Sequence, residues 1–154
     1  MTQSQFSRTI KNSIAIAPVT LLGLCLSATV STAQAQLYKP IPVSVGNPIK
    51  DTLSDKDIPT GKQGFARDYI VRLEAGDEVA IALESESFDT FVMLIASDGS
   101  SVGENDDSSD GGTNSLLVTK IDRTEDYIIR VRASGETKAK GPFTLKVTPQ
   151  SPKP

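Results

Sequence analysis

Apolar residues fall on every second position in a series of short runs along this chain, and no run keeps a 3.6-residue period for the length of a typical helix. Tyr69, Val71 and Leu73 alternate with Ile70, Arg72 and Glu74, and the run stops at Ala75-Gly76-Asp77. Val79, Ile81 and Leu83 then alternate with Ala80, Ala82 and Glu84. The short Gly-Asp turn between these two runs reads as a hairpin. Phe91 to Ala96 is apolar on both faces, which predicts a central strand buried on both sides and ended by Asp98-Gly99. Leu117, Thr119 and Ile121 form the next strand, and residues 122–126 the turn after it. Tyr127, Ile129 and Val131 alternate with Ile128, Arg130 and Arg132; Phe143, Leu145 and Val147 alternate with Thr144, Lys146 and Thr148. A weaker strand is expected over Ile49 to Leu53. About seven or eight short strands at roughly 10- to 20-residue spacing form the pattern of an antiparallel β-sandwich. Each sheet then turns one face to the other sheet and one to water.

The ends of the chain break this pattern. Residues 1–35 read as an export signal peptide: Arg8 and Lys11 are its only charges, an apolar stretch runs from Ile14 to about Val30, and Ala33-Gln34-Ala35 supplies small residues for cleavage after Ala35. A membrane anchor is the rival reading, but Pro18, Thr20, Gly23, Ser27 and Thr29 dilute the run below the roughly 20 apolar residues a span needs. Lipidation at Cys25 is a second rival, weakened by Leu24 where a lipoprotein signal has Gly, Ala or Ser. Residues 36–46 form an extended lead-in, 47–148 the sandwich, and 149–154 a Pro-rich tail that is not expected to continue a sheet.

The 119 residues from Gln36 to Pro154 suffice for one domain with a single core, and they contain no cysteine and no histidine. Export without disulfides points to a bacterial periplasm or exterior. The formal charge of the whole chain is −3, and losing Arg8 and Lys11 with the signal leaves −5. A moderately acidic domain without a basic stripe is a poor match for nucleic acid. The aromatics Phe65, Tyr69, Phe88, Phe91, Tyr127, Phe143 and Tyr38 fall mostly on or beside strands and are expected in the core. Arg130 and Arg132 are expected to pair with acids on a neighbouring strand.

Without His or Cys, Ser-His and Cys-His nucleophile systems and His-ligated zinc are excluded. A Ser-Lys dyad or a carboxylate pair stays formally open, though the serines sit in turns beside Gly, Asp and Asn, where they are expected as turn formers. The chemistry that the sequence does concentrate is acidic: Glu104-Asn105-Asp106-Asp107, then Asp110-Gly111-Gly112 and Asn114. Asp106-x-Ser108-x-Asp110-Gly111 echoes the alternating oxygen ligands of an EF-hand loop, but Leu117 holds the twelfth position, where a bidentate Glu is required. Loops of a β-sandwich can still gather calcium from Asp and Asn side chains. Asp106, Asp107 and Asp110 are the first ligand candidates, with Asp89, Asp98, Asn105 and Asn114 behind them. The competing reading is a solvated turn whose residues simply suit tight backbone angles.

Taken in order, Tyr69-x-Val71-x-Leu73-x-Ala75-Gly76-Asp77-x-Val79-x-Ile81, Ser87-Phe88-Asp89-Thr90, Asp98-Gly99, Asn105-Asp106-Asp107, Asn114-Ser115, Tyr127-x-Ile129-x-Val131 and Gly141-x-Phe143-Thr144-Leu145-x-Val147 are similar to the bacterial pre-peptidase C-terminal domain. The resemblance covers about residues 47 to 148 and rests on order and spacing. It implies a jelly-roll-like sandwich and a non-catalytic module, usually on the C-terminal side of secreted proteases. Some relatives, the collagen-binding domains of clostridial collagenases among them, bind calcium and an extracellular polymer. No protease-sized segment accompanies the module here, so a part in processing a linked peptidase is not expected. The resulting expectation is an exported binding or accessory module for an extracellular or envelope protein or polysaccharide, stabilised by Ca2+. The alternatives are a structural envelope module with no discrete ligand and, last, a small hydrolase.

Overall fold

The structure, a computed structural model, describes residues 38–61, 64–107, 112–135 and 138–150. The expected signal peptide with its cleavage point, Asp110, and the tail beyond Gln150 lie outside the described residues. The strands are β1 (Ile41–Pro42), β2 (Ile49–Leu53), β3 (Ile58–Pro59), β4 (Phe65–Leu73), β5 (Glu78–Glu84), β6 (Thr90–Ile95), β7 (Ser101–Asn105), β8 (Ser115–Lys120), β9 (Glu125–Ala133) and β10 (Gly141–Gln150). The alternating pattern thus becomes an all-β sandwich, with no helix among the described residues. One sheet runs β1-β4-β9-β6-β7 with β3 beside β4; the other runs β2-β10-β5-β8. All pairings are antiparallel except the short β1 beside β4.

The inward-facing positions of the two sheets meet as one core. Tyr69, Val71 and Leu73 of β4 and Ile129 and Val131 of β9 pack with Ile81 and Leu83 of β5 and Leu145 and Val147 of β10. Fully burying each such side chain is worth roughly 1.5–3 kcal/mol, so the period-2 pattern fixes which face of every strand turns inward. Tyr69 and Phe88 both stack edge-on against Phe143. At one end of the sandwich the sheets are joined by polar groups as well. The Thr90 and Ser115 hydroxyls, both buried, lie 2.6 Å apart, and Thr90 Oγ1 also donates toward the Leu83 and Thr113 carbonyls.

Two local expectations change. The Gly-Asp turn does not make a hairpin, because β4 and β5 lie in different sheets. Gly76, at φ 95°, turns the chain across the sandwich, and its N–H is taken by the Ile121 carbonyl at 2.7 Å. Both flanking runs carry one apolar face, and a crossing between sheets satisfies that pattern as well as a hairpin does. The hairpin is instead at Asp98-Gly99, which returns β6 into β7. Within the extended lead-in, β1 lies alongside β4 and the Val43 N–H reaches the Ile70 carbonyl at 2.9 Å.

Finally, Pro149 and Gln150 continue β10 opposite Val79 and Glu78. The Val147 carbonyl accepts from Gly46 on the side away from β5, so the Pro149 nitrogen, two residues on, faces that same side. Pairing with β2 has already ended at Leu145. Proline's missing N–H is therefore not needed there.

Candidate functional site

The start of β6, the end of β7, the start of β8 and the end of β9 meet at one end of the sandwich. That convergence brings most of the candidate metal ligands together. The Asp89 carbonyl accepts the Ser134 N–H at 2.8 Å, while the Ser134 hydroxyl points to Asp106 Oδ2 at 3.4 Å. The Thr90 N–H is held by the Thr113 carbonyl at 2.9 Å. Asp89, Asp106, Asp107 and Asn114 are exposed at this end, and Asn105 is half-buried.

The two amides are already engaged: Asn114 Oδ1 accepts the Ser85 N–H at 3.0 Å, and Asn105 Oδ1 the Leu116 N–H at 3.4 Å. Asp98 does not belong to this group. It sits at the far end of β6, bonded to the Ser100 hydroxyl (2.6 Å) and to Arg123 (2.9 Å), which together hold its carboxyl well below the usual carboxylate range. Among the described residues no three acidic side chains are gathered closely enough to hold an ion by themselves. Calcium's demand for six to eight oxygens would here fall on Asp89, Asp106 and Asp107, with Asp110 outside the described residues and the rest from carbonyls or water.

Of two ion-pair clusters, the first was not legible in the sequence, because its acids lie in β2 and ahead of β3, while the second is the expected pairing of Arg130 with an acid on a neighbouring strand. In the first, Arg67 on β4 bridges Asp51 of β2 (2.6 Å) and Asp57 (2.8 Å), and the buried Tyr69 hydroxyl donates to Asp51 Oδ2 at 2.8 Å. Partial burial pushes the Asp51 carboxyl up, but bonds from Arg67, the Thr52 N–H and Tyr69 outweigh it and leave it lowered. Burial and the Asp51 carboxylate both raise the Tyr69 phenol. In the second cluster, Arg130 grips the buried Asp68 through two bonds, 2.8 and 2.7 Å, on the outer face of the first sheet.

The Tyr38 hydroxyl adds a short bond to Asp68, and burial together with that carboxylate pushes its pKa to about 12. Tyr38 is 58% exposed, against the expectation of a core position. Arg132 also departs from expectation: it pairs with no acid among the described residues and lies over the Phe91 ring, 3.6 Å from its centroid. Phe91 points outward from its sheet, so the guanidinium supplies the cover that the other sheet gives to the remaining rings.

Two open clefts border these clusters. One, of about 530 Å³, is lined by Lys50, Asp51, Glu84, Glu86 and Asn114 around Phe143. The other, of about 520 Å³, has Ile58, Pro59, Ala66 and Met93 around Arg130 and Arg132. Neither holds a recognisable catalytic relay. Serine hydroxyls bond to carboxylates in turns, as Ser97 to Glu125 and Ser100 to Asp98, and among the described residues no lysine reaches a serine. The Ser85 hydroxyl, close to the first cleft, is bound to the Pro142 carbonyl and accepts the Ser87 N–H, a structural role.

Residues 66–133 match the family model of the bacterial pre-peptidase C-terminal domain. That stretch is similar to the pre-peptidase C-terminal domain. Its sandwich is similar to the pre-peptidase C-terminal domain of collagenase from Bacillus anthracis, with a TM-score of 0.55 at 11% identity over 71% of this chain and 94% of that one. It is also similar to PliG of Aeromonas hydrophila, a periplasmic inhibitor of g-type lysozyme, with a TM-score of 0.52 at 16% identity over 73% of this chain and 98% of that one. No curated protein matches the sequence. The matched residues run from Ala66 in β4 to the end of β9 and include Arg67, Asp68, Tyr69 and Arg130, while Tyr38, Asp51 and Asp57 fall outside them.

Proposed function

We propose that the chain is a non-catalytic, exported binding module whose client is a protein of the periplasm or the cell exterior. The carrying observation is the similarity of residues 66–133 to the pre-peptidase C-terminal domain in a chain whose described polar groups are committed to turns and ion pairs rather than to a catalytic relay. Similarity to a periplasmic protein that inhibits lysozyme supports a protein client.

The exposed surface supports the same choice over polysaccharide. Sugar-binding faces present aromatic rings to solvent, and Tyr38 is the single large aromatic side chain well exposed among the described residues. Calcium at the acidic end of the sandwich is part of the proposal, supported by the density of Asp and Asn in the segment between β7 and β8 and by Asp89 at the same end.

The test is capture from the periplasmic and envelope fractions of the source cell on the immobilised exported protein, with and without calcium. A discrete protein that elutes specifically supports the reading. No discrete partner in either condition would favour a structural module without a ligand. A lysozyme activity assay with the purified protein asks separately whether the client is a g-type lysozyme.

A further inference from the structure

Sheet edges invite pairing with other chains, and folded proteins protect them with prolines, bulges, charges or very short strands. Three of the four edges here are protected in this way. β1 is two residues long and includes Pro42; β2 follows Pro48 and bears Lys50 and Asp51; β7 carries a bulge opposite Leu94 and Ile95 and the exposed Glu104. β8 has neither proline nor bulge. Its outward side chains are Leu116 and Val118, 39% and 50% exposed, with Lys120 only at its end.

The backbone of that strand is open too. The Leu116 N–H is bonded to Asn105 rather than to β5, so it points away from the sheet, and the even-numbered residues Val118 and Lys120 point the same way. The Ile121 N–H confirms the alternation, since it points inward to the Asp77 carbonyl at 2.8 Å. What occupies the edge now is weak: the Asn105 contact is 3.4 Å, and the Lys120 carbonyl receives a 3.5 Å contact from Thr119. Val118 has no backbone partner on this side among the described residues.

We infer that β8 is a strand-pairing surface and that its occupant is β8 of a second copy of this chain, antiparallel about a two-fold axis. The sequence of the strand is what selects a second copy. With Leu117 opposite its own counterpart, each Leu116 faces a Val118 on the outer side, Ser115 faces Thr119, and Lys120 faces Asn114. Apolar meets apolar, and no like charges stand opposite each other. Shifting the register by one step of two residues sets Lys120 against Leu116 and loses this match. In the matched register Leu116 and Val118 exchange backbone bonds with the other copy, and the outer row Ala82–Leu116 of one copy continues into Val118–Ala80 of the other. The two four-stranded sheets become one. An isologous interface of this kind closes on itself and stops at two.

Sedimentation velocity of the exported protein from micromolar to millimolar concentration tests this, together with Val118→Pro and Val118→Lys. Proline at 118 removes an N–H that faces away from β5, so the ladder within the sheet stays intact; lysine offers a second, milder block at a half-exposed position. The expected result is a rise from the mass of one chain to that of two for the wild type. Both variants should stay at one-chain mass, with melting temperatures close to wild type. Amide exchange at Val118 and Lys120 should slow as the wild-type concentration rises. A one-chain mass throughout, a variant that pairs as the wild type does, or exchange at Val118 that ignores concentration would each overturn the inference.

Discussion

The hydroxyls of Thr90 and Ser115, one on each sheet, face each other at 2.6 Å inside the core. Thr90 opens β6 and Ser115 opens β8, so this contact fastens the two sheets where the acidic loop leaves the sandwich. Removing one partner leaves a buried hydroxyl short of a bond, which costs about 1–3 kcal/mol. Thr90→Val and Ser115→Ala should each lower the urea midpoint accordingly. The double variant should lose less than the sum, with a coupling of roughly 0.5 kcal/mol or more. Strict additivity in urea melts would mean that the pair does not act as a unit.

Gly141 is expected to be irreplaceable. It starts β10 at φ 151°, and a Cβ there would lie 2.5 Å from Ser87 Cβ. Gly141→Ala should destabilise by about 1–3 kcal/mol, the usual range for overpacking. Adding Ser87→Gly should recover the steric part and leave the cost of the backbone angle. Thermal melts of the single and double variants separate the two contributions.

The acid limb of the stability curve should report on Asp51. Its folded-state pKa lies below the ordinary 3.8, so its ionised form stabilises the fold. That contribution is complete above the unfolded value and disappears as pH falls through the lower, folded one. Asp98 and Glu125 are shifted in the same direction and contribute to the same limb. Asp51→Asn should therefore lower stability at neutral pH and flatten, without abolishing, the loss below about pH 4. Urea melts between pH 2 and 7 check this; an unchanged acid limb would assign the shift no part in stability.

Calcium should raise the melting temperature if Asp106, Asp107 and Asp110 share an ion. At a hundredfold excess over the dissociation constant the gain is about 2.7 kcal/mol, several degrees for a domain of this size at roughly 4 °C per kcal/mol. Magnesium should do less, because it demands a tighter octahedral shell. Asp106→Ala with Asp110→Ala should remove the calcium effect. Identical melts in EDTA, calcium and magnesium would return the loop to a solvated turn.

The inward faces were readable from the sequence wherever a strand had a clean alternation. Tyr69 to Leu73, Tyr127 to Val131 and Phe143 to Val147 all bury the predicted side. The partners of those faces were not readable, since a period of two does not distinguish a turn within a sheet from a crossing between sheets; hence the misplaced hairpin at Gly76. β7 escaped notice because Ser101-Val102-Gly103-Glu104-Asn105 is mostly polar. Gly103 is nonetheless fitted to its place: a Cβ there would come within 3.0 Å of Leu117 Cδ1. The acidic loop was visible as composition, and the fold gathers Asp89 to it while sending Asp98 to the other end. The expected pairing of Arg130 with an acid on a neighbouring strand is met by Asp68, whereas the cluster of Arg67 with Asp51 and Asp57 is a relation that only tertiary pairing creates.

The last strand among the described residues is also an interior one. β10 fills the space between β2, near the other end of the sandwich's sequence, and β5, so its sheet has a gap until β10 arrives. Such non-local pairing is slow, with closure in milliseconds to seconds for all-β domains of this kind. A growing chain therefore has no complete sandwich to form until β10 has been made, and it stays threadable up to that point. Cutting back from Gln150 into β10 would remove the seam of the second sheet rather than trim its border.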